Sequence, residues 1–265
     1  MSDYVYAIIG ISLIFACTTL GSLLVFIIRK EELYKSLNRV FVGFAAGIML
    51  SASFFGLIRP AIESEVTYMP TWAIVGISIV LGSLFLWGID KLVPHFHIHE
   101  NKDEGLPSRG LSKTSKMFLA VTIHNIPEGL AVGIAFGVAL SNVGSFALLM
   151  SALFLAVGTG IQNIPEGAAV ALPVKSETGG SSFRAFLFGM FSGAVEPIAA
   201  VVGLFLAMQI QAIMPWALAF AAGCMIYVVG EEMIPEMKGE GHDHLGVWSF
   251  IVGFVIMMAL DCIQF

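Results

Sequence analysis

The sequence predicts an all-α integral membrane protein with eight transmembrane helices, and three observations lead there. First, 57% of its 265 residues are hydrophobic and only 12% are charged, whereas ordinary soluble domains carry about a quarter charged residues. Second, eight stretches are apolar for the roughly 20 helical residues that a bilayer core of about 30 Å requires. Third, lysine and arginine fall almost wholly on one side of those stretches. The composition excludes a water-soluble globular protein and a disordered chain. A net charge of −6 gives no basic footprint for nucleic acid. Cys17, Cys224 and Cys262 lie far apart in apolar segments without a CxxC pair, so neither a disulfide framework nor a thiolate zinc site is expected.

The spans run over roughly 4–28, 40–62, 71–93, 117–140, 146–173, 183–209, 212–233 and 246–264. The first has no basic leader and no small-residue cleavage site, so it reads as a retained helix rather than a signal peptide. After the third span comes the longest loop, 94–116, polar and punctuated by Gly and Pro, with His95, His97 and His99 in alternation. Such a tract is a solvated linker or a weak holder of divalent ions. Only a turn centred on Gln211 separates the sixth span from the seventh, where Met214-Pro215 suits a helix start. A shorter loop before the eighth span holds His242 and His244.

Orientation follows from the basic residues. Arg29, Lys30, Lys35, Arg39, Lys91, Lys102, Arg109, Lys113, Lys116, Lys175, Arg184 and Lys238 fall on one side, and Arg59 alone on the other. The loop 94–116 is therefore expected in the cytoplasm and both termini outside it. The whole chain, 1–265, reads as a single transmembrane domain.

One histidine lies inside a span. The fourth helix carries His124-Asn125-Ile126-Pro127-Glu128-Gly129, and the fifth repeats it 38 residues later as Gln162-Asn163-Ile164-Pro165-Glu166-Gly167. Glu196-Pro197 adds a third acidic proline motif in the sixth. An ionisable group at the bilayer centre costs at least about 2.5–3.5 kcal/mol, so it faces a partner or a watery cavity. Glu128, Glu166 and Glu196 have no lysine or arginine at their depth; either protonation or a bound metal ion must compensate them.

Spacing favours the metal. His124 and Glu128 are four apart and share a helix face, as do Gln162 and Glu166. In antiparallel helices, His124 and Glu166 both stand seven residues from the cytoplasmic end, and Glu128 and Gln162 eleven, or roughly 10 and 17 Å deep. This groups N and O ligands suited to zinc and its first-row neighbours. Pro127, Pro165 and Pro197 withhold the N–H that the carbonyls of Ile123, Ile161 and Gly193 would accept, and freed carbonyls at this depth are tolerated where they line a cavity or hold an ion. Interhelical hydrogen bonding by the histidine and asparagines, with purely structural prolines, is the plainer alternative.

At these residues the chain resembles the ZIP (Zrt/Irt-like) family of divalent-metal transporters, and its QNIPEG version with its short length resembles the bacterial GufA-like branch. The resemblance covers the whole chain. It implies inverted repeats, three helices on either side of a central pair, and a binuclear centre between the fourth and fifth helices. One metal would take His124, Glu128, Gln162 and Glu166; the second would take Asn125, Glu128, Asn163, Glu166 and Glu196. Many relatives have histidine in place of Gln162 and an acid in place of Asn163, so the amides here lower the charge of the site. Met49 either reaches the first metal as a thioether or packs in the core. Glu63 would attract cations at the outer end. Glu231, Glu232 and Glu236, with His95 and His97, either form an exit relay or are simply solvated.

The function expected is import of Zn²⁺ into the cytoplasm across the cell (inner) membrane, with Fe²⁺, Mn²⁺, Co²⁺ and Cd²⁺ as further substrates. A proton-coupled exporter is the first alternative; the six-span layout with HxxxD pairs that is usual for that class is absent. An intramembrane metalloenzyme is the second; no HExxH occurs, so an enzyme is not expected. No organic cofactor, no Walker A motif and no nucleic-acid partner is expected. The partners are divalent metal ions and the lipid bilayer, with a homodimer as an option.

Orientation is testable in a background free of native cysteines. Single cysteines near residues 2 and 265 should react from outside with an impermeant thiol reagent, and one at 105 should not. External labelling at 105 would reverse the topology.

Overall fold

The computed structural model of the chain describes residues 3–28, 31–64, 66, 68–93, 95–97, 102–104, 112–142, 144–177, 179–209, 213–238 and 244–262. Each expected span is a helix long and apolar enough to cross a membrane: Asp3–Phe26, Leu37–Glu63, Thr71–Leu92, Thr114–Ser141, Phe146–Lys175, Ser182–Gln209, Met214–Lys238 and Leu245–Cys262. Their elements are α1 (Asp3–Leu23), α2 (Glu31–Ser51) with α3 (Arg59–Glu63), α4 (Thr71–Leu92), α5 (Lys113–Ser141), α6 (Phe146–Glu177), α7 (Ser182–Gly193) with α8 (Val195–Gln209), α9 (Met214–Val228) with α10 (Ile234–Lys238), and α11 (Leu245–Cys262). Several helices outrun the apolar stretches, because hydropathy marks the thickness of the lipid and not the end of the hydrogen-bond ladder. Ser112 and Ser181 cap α5 and α7 by accepting the backbone N–H of Ser115 and Arg184.

Three features depart from eight plain helices. The sixth span breaks at Ala194, between α7 and α8, because Pro197 has no N–H to offer Gly193. The second and seventh spans each widen into a π-helical stretch, Ala52–Ile58 and Val229–Met233. In both, an i→i+5 bond closes the stretch, from Arg59 N–H to Phe54 O and from Ile234 N–H to Val229 O. The next residue is a proline each time, Pro60 and Pro235, whose ring would crowd the carbonyl four residues back in a regular helix. Finally, the loop after the third span contains a two-stranded antiparallel ribbon, β1 (His95–His97) and β2 (Lys102–Glu104), with His95 opposite Glu104 and His97 opposite Lys102. His99, His242 and the Gln211 turn lie outside the described residues, as do the side chains of His95 and His97.

The helices pack in four intimate pairs: α1 with α6, α5 with α8, α2 with α11, and α4 with α9. Exchanging the first span with the sixth, second with seventh, third with eighth and fourth with fifth maps this set onto itself. The pairing thus carries the inverted repeat, and the matched π-helical stretches obey the same exchange. Each pair is welded at glycine. A Cβ on Gly21 would collide with the Ile164 carbonyl, one on Gly47 with Phe250 O, one on Gly82 with Phe220 O and one on Gly133 with Ala200 O. Small residues let membrane helices approach this closely, where no hydrophobic effect drives them together. Spans one, four, five and six form one group and spans two, three, seven and eight another; the groups meet where α6 lies against α2 and α5 against α9.

Gly133→Ala should therefore destabilise the protein by about 1–3 kcal/mol, since backbone rather than a flexible side chain would have to give way. Gly76, with nothing within 4 Å of a Cβ, is the control: Gly76→Ala should be neutral or stabilising by up to about 1 kcal/mol. Thermal unfolding in detergent reads both, and equal effects would refute the close-packing account.

Candidate metal centre

The repeated hexapeptide places its polar groups where α5 and α6 cross inside the first group of spans. Asn125, Glu128, Gln162, Asn163 and Glu196 are each at most 1% exposed, and His124 is buried beside them. The depth match between Glu128 and Gln162 becomes a contact: Gln162 Nε2 donates to Glu128 Oε1 at 2.7 Å. Glu166 is half-buried and lies within electrostatic range of Glu128, Glu196 and His124.

Glu196 occupies the first turn of α8, just past the break. Its Oε1 accepts from Thr18 Oγ1 at 2.7 Å and from Asn125 Nδ2 at 3.1 Å, and its Oε2 accepts from Asn163 Nδ2 at 2.8 Å. Three donors on three helices therefore converge on one carboxylate. Glu128 has a single amide donor, and no hydrogen bond reaches Glu166 among the described residues.

His124 faces the other group of spans. Its Nε2 lies 2.7 Å from Glu232 Oε1 and 3.9 Å from Asp90 Oδ1. Neither partner is a residue that helical spacing would place beside it. The ligand atoms of Asp90, His124 and Glu232 all fall within 4.8 Å of one another, and Tyr227 stands next to Asp90. Asp90 belongs to the last turn of α4 and went unnoticed in the sequence because an acid at a helix end reads as solvated; here it is buried. Of the acids beyond, Glu236 accepts from Asn38 Nδ2 at 2.7 Å and Glu231 is exposed. β1, with His95 and His97, lies against α5. Met49 is buried within the main apolar cluster. At the other end Glu63 is exposed and ion-paired, its Oε1 2.8 Å from Arg59 Nε.

The chemistry of the donor set can be tested on its unsatisfied atoms. Asn125 Oδ1, Glu128 Oε2, Gln162 Oε1 and Asn163 Oδ1 are buried without a hydrogen-bond donor among the described residues. Glu232 Oε1 is likewise unsatisfied, its approach to His124 being short but not aligned as a hydrogen bond. Each such acceptor costs about 1–3 kcal/mol when left dry. Every one is a hard oxygen donor, a ligand type that suits a divalent ion, while His124 offers its nitrogen beside Asp90 and Glu232. A divalent cation could satisfy several of them at once.

Residues 4–117 and 115–261 match the family model described as ZIP Zinc transporter. The human protein named Zinc transporter ZIP11 is 33% identical, over 98% of this chain and 97% of its own length. Zinc transporter GufA of Myxococcus xanthus is 34% identical over 92% of this chain and 93% of its own. Zinc transporter ZIPB of Bordetella bronchiseptica is 34% identical over 97% of this chain and 80% of its own.

Ion binding by neutral imidazole and ionised carboxylates competes with protons for the same lone pairs. Affinity for Zn²⁺ should therefore weaken as pH falls from about 8 to about 5, measured by equilibrium competition with a zinc-sensitive dye on the purified protein. A flat profile would place the ion elsewhere.

Proposed function

The chain belongs to the ZIP family of zinc transporters, and from that membership we propose that it imports Zn²⁺ through a binuclear centre between α5 and α6. Fe²⁺, Mn²⁺, Co²⁺ and Cd²⁺ are the further substrates. The observation that carries this reading is the set of buried, unsatisfied oxygens on Asn125, Glu128, Gln162 and Asn163, beside the carboxylates of Glu166 and Glu196. The first ion takes His124, Glu128, Gln162 and Glu166. The second takes its ligands among Asn125, Glu128, Asn163, Glu166 and Glu196.

The path runs from the outer end near Glu63 to the cytoplasm. An ion leaving the centre meets Asp90 and Glu232 across from His124, then Glu231, Glu236 and the histidines of the loop. His124 belongs to both stages, which lets an ion change ligands without ever being bare in a low-dielectric interior, where naked charge is most costly. The protein lies in the cell (inner) membrane with both termini outside the cytoplasm.

Uptake into proteoliposomes tests this reading. Zn²⁺ should accumulate inside vesicles whose protein is oriented with the loop 94–116 in the lumen, without ATP. Glu128→Ala should reduce the flux about 100-fold or more, since it removes an anionic ligand and not merely a supporting partner. Efflux alone would overturn the direction, and full flux in Glu128→Ala would overturn the centre.

A further inference from the structure

Thr18 belongs to no motif of the sequence, yet the molecule is built around it. It is 1% exposed at mid-span in α1. Two glycines clear its place: a Cβ on Gly193 would stand 2.6 Å from Thr18 Cγ2, and one on Gly167 would strike the Thr18 carbonyl. α1 can thus come close to the α7–α8 break and to α6 at the same residue. The hydroxyl at this spot donates to Glu196 Oε1 at 2.7 Å, nearer than its alternative acceptor Ile14 O at 3.2 Å.

The lone pairs can be counted. A carboxylate has about four acceptor sites, two on each oxygen. On Glu196, Oε1 is filled by Thr18 and Asn125, and Oε2 is half filled by Asn163. At most one site remains for a cation. The asparagines show the complementary pattern. Each spends its N–H groups on Glu196 and on a backbone carbonyl, Ser192 O for Asn125 and Ile14 O for Asn163. Since a carboxamide is planar with N and O at opposite corners, fixing the nitrogen on Glu196 directs the oxygen away from it. Both of those oxygens are the buried, unsatisfied ones.

We propose that Thr18 and Glu196 are an orienting pair for the metal centre: Thr18 holds the carboxylate, and the carboxylate turns the carbonyl oxygens of Asn125 and Asn163 outward as ligands. Thr18 is accordingly a positioning residue. The inference rests on the metal-centre reading above. Without the Thr18 hydroxyl, Glu196 would loosen, the amides would rotate, and binding would weaken.

The experiment measures Zn²⁺ and Mn²⁺ binding by competition with a metal-sensitive dye, on the purified full-length protein and its Thr18→Val, Thr18→Ser and Glu128→Ala variants. Thr18→Val keeps the shape and removes the donor; it should weaken Zn²⁺ binding about tenfold or more, the scale of a hydrogen bond to a charged group. Thr18→Ser should stay within about twofold of wild type, because it restores the donor. Mn²⁺, which favours carbonyl and carboxylate oxygen, should lose more affinity than Zn²⁺ in Thr18→Val, a selectivity change that mere loosening of the helix would not produce. If Thr18→Val is not recovered as a monodisperse protein, Thr18→Ala carries the same expected sign. Unchanged or tighter binding in Thr18→Val or Thr18→Ala, with Glu128→Ala abolishing it, overturns the orienting pair and leaves the centre standing. Unchanged binding in Glu128→Ala overturns the centre, and the orienting pair with it.

Discussion

Carboxylates held at mid-bilayer are the constraint from which the rest of this structure follows. Each costs at least about 2.5–3.5 kcal/mol to place there, and a hydrogen bond to a charged group returns about 1.5–3 kcal/mol. Glu196, with three donors and the positive end of α8, is balanced by the protein itself. Glu128 has one donor and falls near or below balance. Glu166 has none among the described residues and is the least compensated. The deficit is therefore uneven, and it lies on the two carboxylates that sit on the repeated hexapeptides. A protein without a use for that deficit could remove it by substitution. In a membrane transporter the deficit is what draws a cation out of water.

Holding such groups in register requires helices that do not slide. Lipid tails are as apolar as the side chains facing them, so burial gives little grip, and close backbone contact must supply it. The glycine welds do so within each helix pair. Both walls of the centre belong to welded pairs, α1 with α6 and α5 with α8. Asp90 and Glu232 belong to the other group of spans. Only the seam between the groups, where His124 meets Glu232, joins the two sets of acids. The π-helical stretches are on the second group's side of that seam, each followed by a proline, and their wide turns expose backbone groups that a regular helix would have paired.

Much of this was legible in the chain. Span number, the order of the loops and the Glu128–Gln162 contact follow from hydropathy and from equal depth in antiparallel helices. The residues of the hexapeptides announced themselves because charge and amide are rare in such company. Thr18 did not, since a threonine in an apolar helix ordinarily bonds its own backbone four residues back, and Ile14 O stands 3.2 Å from the hydroxyl here as that alternative. Its second acceptor lies 178 residues away, a separation that no periodicity reveals. Asp90 was hidden by its position at a helix end, where only tertiary packing decides whether an acid is wet or buried. The break at Ala194 and the π-helical turns were half visible: the prolines mark the place, but whether a helix breaks, widens or runs on depends on what packs there. α5 and α6 run straight through Pro127 and Pro165, while α7 and α8 part near Pro197.

That last contrast has a structural reason. Pro127 and Pro165 are each followed by Glu and Gly, and those glycines lie pressed on Glu196 O and Thr18 O respectively, so neighbouring backbone holds both helices straight. Pro197 follows its glutamate instead of preceding it. The carbonyl that it leaves without a donor, Gly193 O, therefore falls one turn ahead of Glu196, and the break turns Glu196 into a residue of a helix N-terminus, where a negative charge is favoured. Reversing the order of Pro and Glu thus separates the roles of three otherwise similar carboxylates. In Pro-Glu, the acid stays mid-helix and under-compensated, available to a cation. In Glu-Pro, it starts a helix, collects donors from three neighbours, and becomes the fixed point against which the asparagines are set.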